Sequence, residues 1–468
     1  MNLFKTIEKA ISSFADFMWS APFLTLGTIE IPFLLFLLLG GGVFFSIYSR
    51  FVPFKYFSHG VKILMGKYND PNDPGEITHF QALTSALAST VGLGNISGVA
   101  IAIQMGGPGA LFWMWVSALL GMSTKFFSCT LSILYRGKDD QGQIQGGPMY
   151  YIENGLGKRF KPLSILFSLA GLIGCTVMFQ SNQLADIIRD QVFLPNNMFV
   201  ENALIGDFLQ GLIMATLTGI VIFGGIQRIG QVASYLVPIM VILYLLSGLL
   251  VIFNHITEIP SLFALIVNDA FTGDAVMGGA VGAVIIAGVR RALFSNEAGL
   301  GTSDMAHGAA QTNEPVREGL VAMIEPFIDT IIVCTITALV ILSSGVWQEE
   351  GLSGVTMTTA AFITELGSFG KFLLLSAVLT FSLSTMMSYS YYGSKCSGYL
   401  FGTKSIFYYR CFYVVTIIVG AMITIDVVLS VVDGMYAVMA IPTVIGSVLL
   451  SGKVMDEAKK YFAKLKES

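Results

Sequence analysis

The chain contains about eleven apolar stretches, each long enough to cross a lipid bilayer as a helix. A spanning segment must pair its own backbone groups, because lipid supplies no hydrogen-bonding partners. Apolar residues make up 54% of the 468 residues and charged residues only 12%, which is about half the charged share of a soluble domain. The sequence therefore predicts an all-α integral membrane protein. We place the spans at 29–49, 80–104, 110–135, 162–189, 207–224, 231–253, 275–294, 319–344, 368–392, 406–425 and 428–450.

The basic residues predict the orientation of these spans. Lysine and arginine are enriched in the cytoplasmic loops of membrane proteins. With the N-terminus outside, the cytoplasmic loops and the C-terminal tail carry most of the 26 basic residues. The opposite side carries only Lys5, Lys9, Arg189 and Lys371, and Lys125 falls within a span. We therefore expect an outside N-terminus and a cytoplasmic C-terminus.

Two spans are interrupted by glycines near their middle. The second contains TVGLGNISG at 90–98, and the seventh contains GGAVG at 278–282. Transporters bind their substrates where such breaks free backbone groups. Close helix packing is the alternative explanation for the spacing of Gly94 and Gly98. Asn95 favours a binding site, because an amide at this depth needs polar partners.

The two breaks divide the chain into repeated units. Each break opens a set of five spans, at 78–254 and 255–450, so the second unit has the inverted topology of the first. Residues 1–77 precede them with an amphipathic helix at 3–19, the first span and a cytoplasmic segment. Residues 451–468 form a cytoplasmic tail. A removed targeting segment is the less favoured explanation of the amphipathic stretch.

Four motifs resemble those of the alanine or glycine:cation symporter family. They are QALTSALASTVGLGNISGVA (81–100), QGGPMYY (145–151), FSNEAGLG (294–301) and EPFIDTIIVCT (325–335). The resemblance implies a LeuT-type fold, with a 5+5 inverted repeat in spans two to eleven and one extra N-terminal helix. It also implies a transporter of bacterial or archaeal inner membranes that takes up alanine or glycine with sodium. Proton coupling, and glutamine or another neutral amino acid as substrate, are the alternatives that stay open.

The breaks are the expected binding site for an amino acid. Free amides at Gly92, Gly94 and Asn95 suit its carboxylate, and carbonyls in the second break suit its ammonium group. In the family fold the fourth span lines the pocket, which implies Phe179 and Gln183; core packing is the alternative role for Phe179. The second-break residues assigned to the substrate are Gly278, Gly279 and Gly282.

The same fold implies a sodium ion between the second and ninth spans. Its expected ligands are Ala88, Val91, Ser384 and Thr385, with Asn95 serving a second ion or the substrate. Hydroxyls that bond back to their own helix are the alternative.

Two acidic residues of the eighth span are further ion candidates. Glu325 and Asp329 lie one helical turn apart. A structural ion pair with Lys125, or a contact with the loop at 295–301, is the alternative role of these carboxylates.

Two other classes of function are disfavoured by the sequence. An intramembrane enzyme lacks support, since no H-E-x-x-H occurs and the histidines fall in loops or at span ends. A channel would need a symmetric pore or a repeated filter. We expect no enzymatic activity and no nucleic-acid partner, only membrane lipid around a chain that can act as a monomer.

Overall fold

Helices account for most of the chain in the computed structural model, which describes residues 2–26, 29–272 and 281–467. Short 3-10 turns at Lys158–Phe160, Leu194–Asn196 and Val346–Gln348 and a π-type turn at Arg189–Phe193 join some of them. The helices are α1 (Asn2–Ser20), α2 (Phe33–Tyr48), α3 (Val52–Lys55), α4 (Phe57–Leu64), α5 (His79–Thr90), α6 (Gly94–Gly106), α7 (Ala110–Leu134), α8 (Pro148–Leu156), α9 (Lys161–Gly174), α10 (Met178–Ile188), α11 (Ala203–Ile222), α12 (Gly225–Asn254), α13 (Ile259–Thr272), α14 (Val281–Asn296), α15 (Ser303–His307), α16 (Pro315–Ser344), α17 (Gly354–Phe401), α18 (Ser405–Met422), α19 (Ile425–Leu449) and α20 (Ser451–Glu467).

Within the described residues, eight helical segments are long and apolar enough to cross a membrane, and the bent pair α5–α6 makes a ninth. The shorter apolar helix α2 covers most of the first predicted span. The seventh predicted span begins outside the described residues, and α14 is its described part. The chain is thus a multi-pass membrane protein, while the number eleven stays a prediction.

Two short antiparallel hairpins interrupt the helical pattern, and the all-α prediction did not include them. Pro22–Leu26 (β1) pairs with Ile29–Pro32 (β2), and Gly137–Lys138 (β3) pairs with Ile144–Gln145 (β4). The first span was predicted to begin at residue 29, but residues 29–32 form β2. Pro32 has extended backbone (φ −62°, ψ 146°) immediately before α2, so the helix begins after the proline.

Two of the spanning segments depart from regular α-helix at points that the sequence did not signal clearly. The fourth predicted span is interrupted between α9 and α10, where Thr176 Oγ1 donates to the carbonyl of Ile173 (2.7 Å). In α17, Gly367 has φ +60°, a conformation that favours glycine. The part of α17 after this turn corresponds to the ninth predicted span.

The terminal helices pack on the helical bundle. α1 packs along α19, and its Trp19 Nε1 donates to the carbonyl of Asp433 (3.2 Å). α20 buries Val454, Ala458 and Tyr461, and the Tyr461 hydroxyl lies 2.7 Å from His59 Nε2 in α4. The amphipathic pattern at 3–19 therefore predicted the helix, and one side of that helix is covered by protein.

Candidate functional site

The second predicted span is broken at residues 91–93. Val91 has extended backbone (φ −74°, ψ 93°) directly after α5, and the chain continues as a π-type turn from Gly94. The axes of α5 and α6 meet at 50°. The break predicted from the glycines is confirmed, and breaks of this kind leave backbone groups without helical partners.

Glycines allow two neighbouring segments to touch the break. A methyl group at position 92 would lie 2.5 Å from Thr385 Oγ1 of α17. One at position 94 would lie 3.2 Å from Ser295 Cα at the end of α14. Close packing, the alternative raised for Gly94 and Gly98, is therefore present at Gly94, whereas a methyl group at position 98 would meet no atom closer than 3.9 Å.

Substitution of Gly92 by alanine is expected to destabilise the protein by about 1–3 kcal/mol, the usual cost of overpacking. Additional replacement of Thr385 by alanine removes the hydroxyl in the way and should recover most of that loss. Unfolding of the purified single and double variants measures both effects. Gly219→Ala is the control, since a methyl there would meet no atom within 4 Å. An unfolding midpoint of Gly92→Ala equal to that of the wild type would contradict the close contact.

Asn95 connects the break to two other elements. Its Oδ1 accepts from the backbone N–H of Gly92 (2.8 Å), which holds the turn. Its Nδ2 donates to Asp329 Oδ1 (2.7 Å) and to Ser295 Oγ (3.1 Å). The polar partners that an amide needs at this depth are thus supplied by α16 and by the end of α14.

Asp329 is the acidic group of the site. It is fully buried, in a π-type turn of α16 at Phe327–Cys334 that follows Pro326. Its carboxylate accepts from Asn95, from Ser295 Oγ (2.8 Å) and from Thr330 Oγ1 (2.7 Å). No basic side chain forms an ion pair with it among the described residues. A buried carboxylate surrounded by neutral oxygen-bearing groups is a natural cation site.

The residues assigned to sodium from the fold are only partly brought together. Ala88 and Val91 are buried at the end of α5. Thr385 touches the break at Gly92, whereas Ser384 Oγ lies 3.5 Å from Met240 Sδ of α12. Both hydroxyls donate to the carbonyl of Phe381 (2.9 Å), as the back-bonding alternative predicts.

Gln183 of α10 bridges three elements. Its Oε1 accepts from Ser97 Oγ of α6 and from the N–H of Val355 at the start of α17 (3.1 Å). Its Nε2 donates to Asn182 Oδ1 (3.2 Å). Gln183 also lines a cavity of about 660 Å³, so it lies where that cavity reaches the broken span.

Phe179 belongs to an aromatic pair beside the break. The side chain is buried, and its ring meets Phe294 edge to face with centroids 4.7 Å apart. A methyl group on Gly94 would lie 3.4 Å from Phe294 Cδ1. The packing role raised for Phe179 is therefore present. Phe179 packs on Phe294, which in turn lies beside Gly94 at the break.

Only part of the second predicted break lies within the described residues. Gly278 and Gly279 lie outside the described residues. Gly282 belongs to the first turn of α14, and a methyl group there would meet no atom within 4 Å. The assignments of these three glycines stay predictions.

The comparison of the chain with protein families decides its membership. The model of the sodium:alanine symporter family matches residues 6–468. The chain belongs to this family.

Three relatives of the symporter family match nearly the full length. An uncharacterized transporter of Haemophilus influenzae is 38% identical over 470 residues, which covers 98% of this chain and 97% of the relative. The sodium/alanine symporter AgcS of Methanococcus maripaludis is 40% identical over 437 residues, 92% of this chain and 94% of the relative. A Bacillus subtilis protein named "probable sodium/glutamine symporter GlnT" is 35% identical over 457 residues, and the match covers 97% of this chain and 91% of the relative.

A solved structure identifies the fold of this symporter-family chain. MhsT, crystallised in complex with L-phenylalanine, superposes with a TM-score of 0.59 at 13% sequence identity. The match covers 82% of this chain and 93% of MhsT. The chain therefore has the fold of a membrane transporter.

Cavities open at the two opposite ends of the helical bundle. The 660 Å³ cavity at Gln183 is bordered by the end of α6, the start of α17 and the turn between α18 and α19. A cavity of about 200 Å³ at the other end is bordered by the segment before α5, the end of α17 and the start of α18. The break in α5–α6 lies between these two ends, since both α5–α6 and α17 run from one to the other.

The structure also reveals a buried charge cluster that sequence reasoning missed except for one pair. Glu325 pairs with Lys125 (2.7 Å), as one alternative expected. Glu318 accepts hydrogen bonds from His79 and His307, and neither histidine was assigned a partner. Their separation in sequence left no local signal, so only the folded chain brings them together.

Proposed function

We propose that the chain is a secondary active transporter that carries alanine or glycine into the cell together with sodium. The observation that carries the proposal is the broken span α5–α6, whose Asn95 contacts a buried carboxylate without a basic partner among the described residues. Membership of the sodium:alanine symporter family and the names of its relatives support the substrate and the ion. The finer architecture, a 5+5 inverted repeat with one extra N-terminal helix, is part of this proposal, as is an outside N-terminus.

The sodium ion is proposed to bind at Asp329. Sodium takes oxygen ligands, as other hard cations do. Asp329 offers a carboxylate, and the hydroxyls of Ser295 and Thr330 each lie within hydrogen-bonding distance of it. The ion would replace the hydrogen bond from Asn95 and free that amide to turn toward a substrate. Of the residues assigned to sodium from the fold, Ala88, Val91 and Thr385 are proposed as a second ion position against the same break, without Ser384, whose Oγ lies against Met240 Sδ.

The amino acid is proposed to bind beside the break, on the side of Gln183 that faces away from the 660 Å³ cavity. Its carboxylate would be near the sodium ion, so that neither charge is buried alone. Ser97, Gln183 and the start of α17 separate this position from the 660 Å³ cavity. Opening these contacts would admit the substrate from that side, and closing them would let the opposite end open, which is the alternating-access scheme of such folds.

Replacement of Gln183 by alanine is expected to raise the KM for alanine about tenfold, which corresponds to about 1.4 kcal/mol. The Gln183 amide is proposed to bind the amino acid once its contacts to Ser97 and Val355 have opened, and one hydrogen bond contributes about 1 kcal/mol. Initial rates of uptake against alanine concentration measure the change. Gln104→Ala is the matched control, because Gln104 lines the same cavity and is exposed. A KM unchanged in Gln183→Ala and in Phe179→Ala would remove α10 from the site.

The whole proposal is tested by uptake of labelled alanine into proteoliposomes. An inward sodium gradient is compared with an equal potassium gradient, and unlabelled glycine, serine and glutamine serve as competitors. Sodium-dependent accumulation that glycine blocks is the expected result. Sodium-dependent accumulation of glutamine without alanine uptake would identify glutamine as the substrate and leave sodium as the coupling ion. Accumulation driven by a proton gradient alone would identify the proton as the coupling ion.

A further inference from the structure

Five titratable side chains form one buried cluster that is separate from the break at residues 91–93. They are His79 at the start of α5, Lys125 in α7, His307 in α15, and Glu318 and Glu325 in α16. Each is at most 1% exposed. Glu318 lies between the two imidazoles, and Glu325 lies between Lys125 and His307.

The charges of this cluster do not balance when both imidazoles are neutral. Glu318 and Glu325 supply two negative charges, and Lys125 supplies one positive charge. A buried net charge is costly, because it loses the solvation of water. One additional proton makes the cluster neutral.

The hydrogen bonds indicate where that proton is held. An ionised carboxylate only accepts, so the Nδ1 of His79 and the Nδ1 of His307 (2.6 Å) both donate to Glu318. The additional proton must therefore occupy an Nε2. Neither Nε2 has a hydrogen-bond partner among the described residues, and neither does Glu325 Oε1. The Nε2 of His307 lies 3.6 Å from Glu325 Oε2, which also accepts from Lys125 Nζ (2.7 Å).

We infer that this cluster is a proton-binding site, in which His307 is held as an imidazolium between Glu318 and Glu325 at neutral pH. His79 stays neutral, with its hydrogen on Nδ1. The imidazolium of His307 connects α15 to two carboxylates of α16, with Glu318 at its Nδ1 and Glu325 near its Nε2. Because Glu318 also holds His79, the same site fixes the first half of the broken span.

The groups around the cluster favour the bound proton. Asp304 accepts from Ser128 Oγ (2.8 Å) and Cys129 Sγ (3.3 Å), and burial raises the pKa of its carboxyl above the usual value. Glu297 accepts from Thr302 and from the Tyr389 hydroxyl (2.5 Å), and burial raises its pKa to about 7. Any fraction of either group that is ionised adds negative potential and stabilises an imidazolium.

The remaining basic neighbour acts in the opposite direction. Arg136 interacts electrostatically with Glu318, so its positive charge opposes an imidazolium. Among the described residues it forms no ion pair with Glu318, and its guanidinium donates to the carbonyls of Gly308 (2.8 Å) and Pro74 (3.0 Å). For His307 itself, burial lowers the pKa, whereas the hydrogen bonds and charges of Glu318 and Glu325 raise it, and the result is a pKa of about 9. The geometry and the charge count thus agree.

The test is nitrogen-15 NMR of protein labelled at histidine, reconstituted in lipid nanodiscs. The chain has four histidines, and the His59→Gln and His255→Gln substitutions in one background leave only the two buried ones. At pH 7.5 we expect one imidazole with both nitrogens protonated and one neutral imidazole protonated at Nδ1. The charged signal should persist with His79→Gln, which leaves His307 as the only imidazole in the cluster. Two neutral imidazoles, or a charged His79, would overturn the inference.

Charge-changing variants give a second, signed test. Glu325→Gln removes one negative charge, so both imidazoles should be neutral at pH 7.5. The double variant Lys125→Met/Glu325→Gln leaves Glu318 as the only charge, so one imidazolium should return. A charged His307 that persists in Glu325→Gln, or that fails to return in the double variant, would refute the charge count. If Glu325→Gln does not fold, the wild-type spectrum and the double variant decide the matter.

Discussion

Replacing Asp329 by asparagine is expected to raise the sodium concentration for half-maximal alanine uptake at least a hundredfold. The carboxylate is buried, and its contacts are neutral donors from Asn95, Ser295 and Thr330. Loss of a buried charge that holds an opposite charge costs about 3 kcal/mol or more, which is roughly a factor of 100 in binding. Asparagine keeps the shape and one acceptor, so the helix break should be preserved. Initial uptake rates across a sodium titration measure the effect.

A matched control separates the ion site from a general loss of charge. Asp190→Asn changes an exposed aspartate in the π-type turn that follows α10, so its sodium titration should coincide with that of the wild type. The midpoint of thermal unfolding of Asp329→Asn without sodium should lie near the wild-type value, whereas the stabilisation by added sodium should be smaller, since only the second proposed ion position remains. Full sodium dependence in Asp329→Asn would remove Asp329 from the ion site and leave the position at Ala88 and Thr385 as the proposed one.

Local sequence signals were sufficient for the first break but not for the rest of the fold. Three glycines and an asparagine within nine residues of an apolar stretch are a signal that needs no tertiary information, and the structure is bent there by 50°. The interruption between α9 and α10 carries no such signal beyond Gly174. The 14-residue helix α13 is too short to span a bilayer, so a search for spans does not find it.

The contacts of the site depend on information that a single sequence lacks. The rotation of α17 about its axis decides that Thr385, rather than Ser384, faces Gly92, and this rotation depends on how the helix packs against its neighbours. Asp329 and Asn95 are separated by 234 positions. Their types and depths made both candidates, but only the fold shows that they touch.

Replacing Lys125 by methionine is expected to lower the free energy of unfolding by about 3–5 kcal/mol at pH 9, because it removes the hydrogen-bonded cation of the buried Glu325 carboxylate. The double variant Lys125→Met/Glu325→Gln should recover most of this loss, since a buried ion pair is often replaced by uncharged groups at little cost. Denaturation in mixed micelles measures the cycle. Lys161→Met is the control: its pair with Glu153 (3.1 Å) is half exposed on the lysine side and should contribute about 1 kcal/mol or less.

The pH dependence of Lys125→Met distinguishes two ways in which the protein can neutralise Glu325. If the histidines take up a second proton in its place, the folded variant binds more protons than the unfolded chain. Its stability is then highest below the ordinary histidine pKa of about 6.5 and falls as the pH rises. The deficit relative to the wild type should therefore be smaller at pH 6 than at pH 9. A deficit that is the same at both pH values would mean that Lys125 alone carries the charge of Glu325, and that the cluster binds no further proton in exchange.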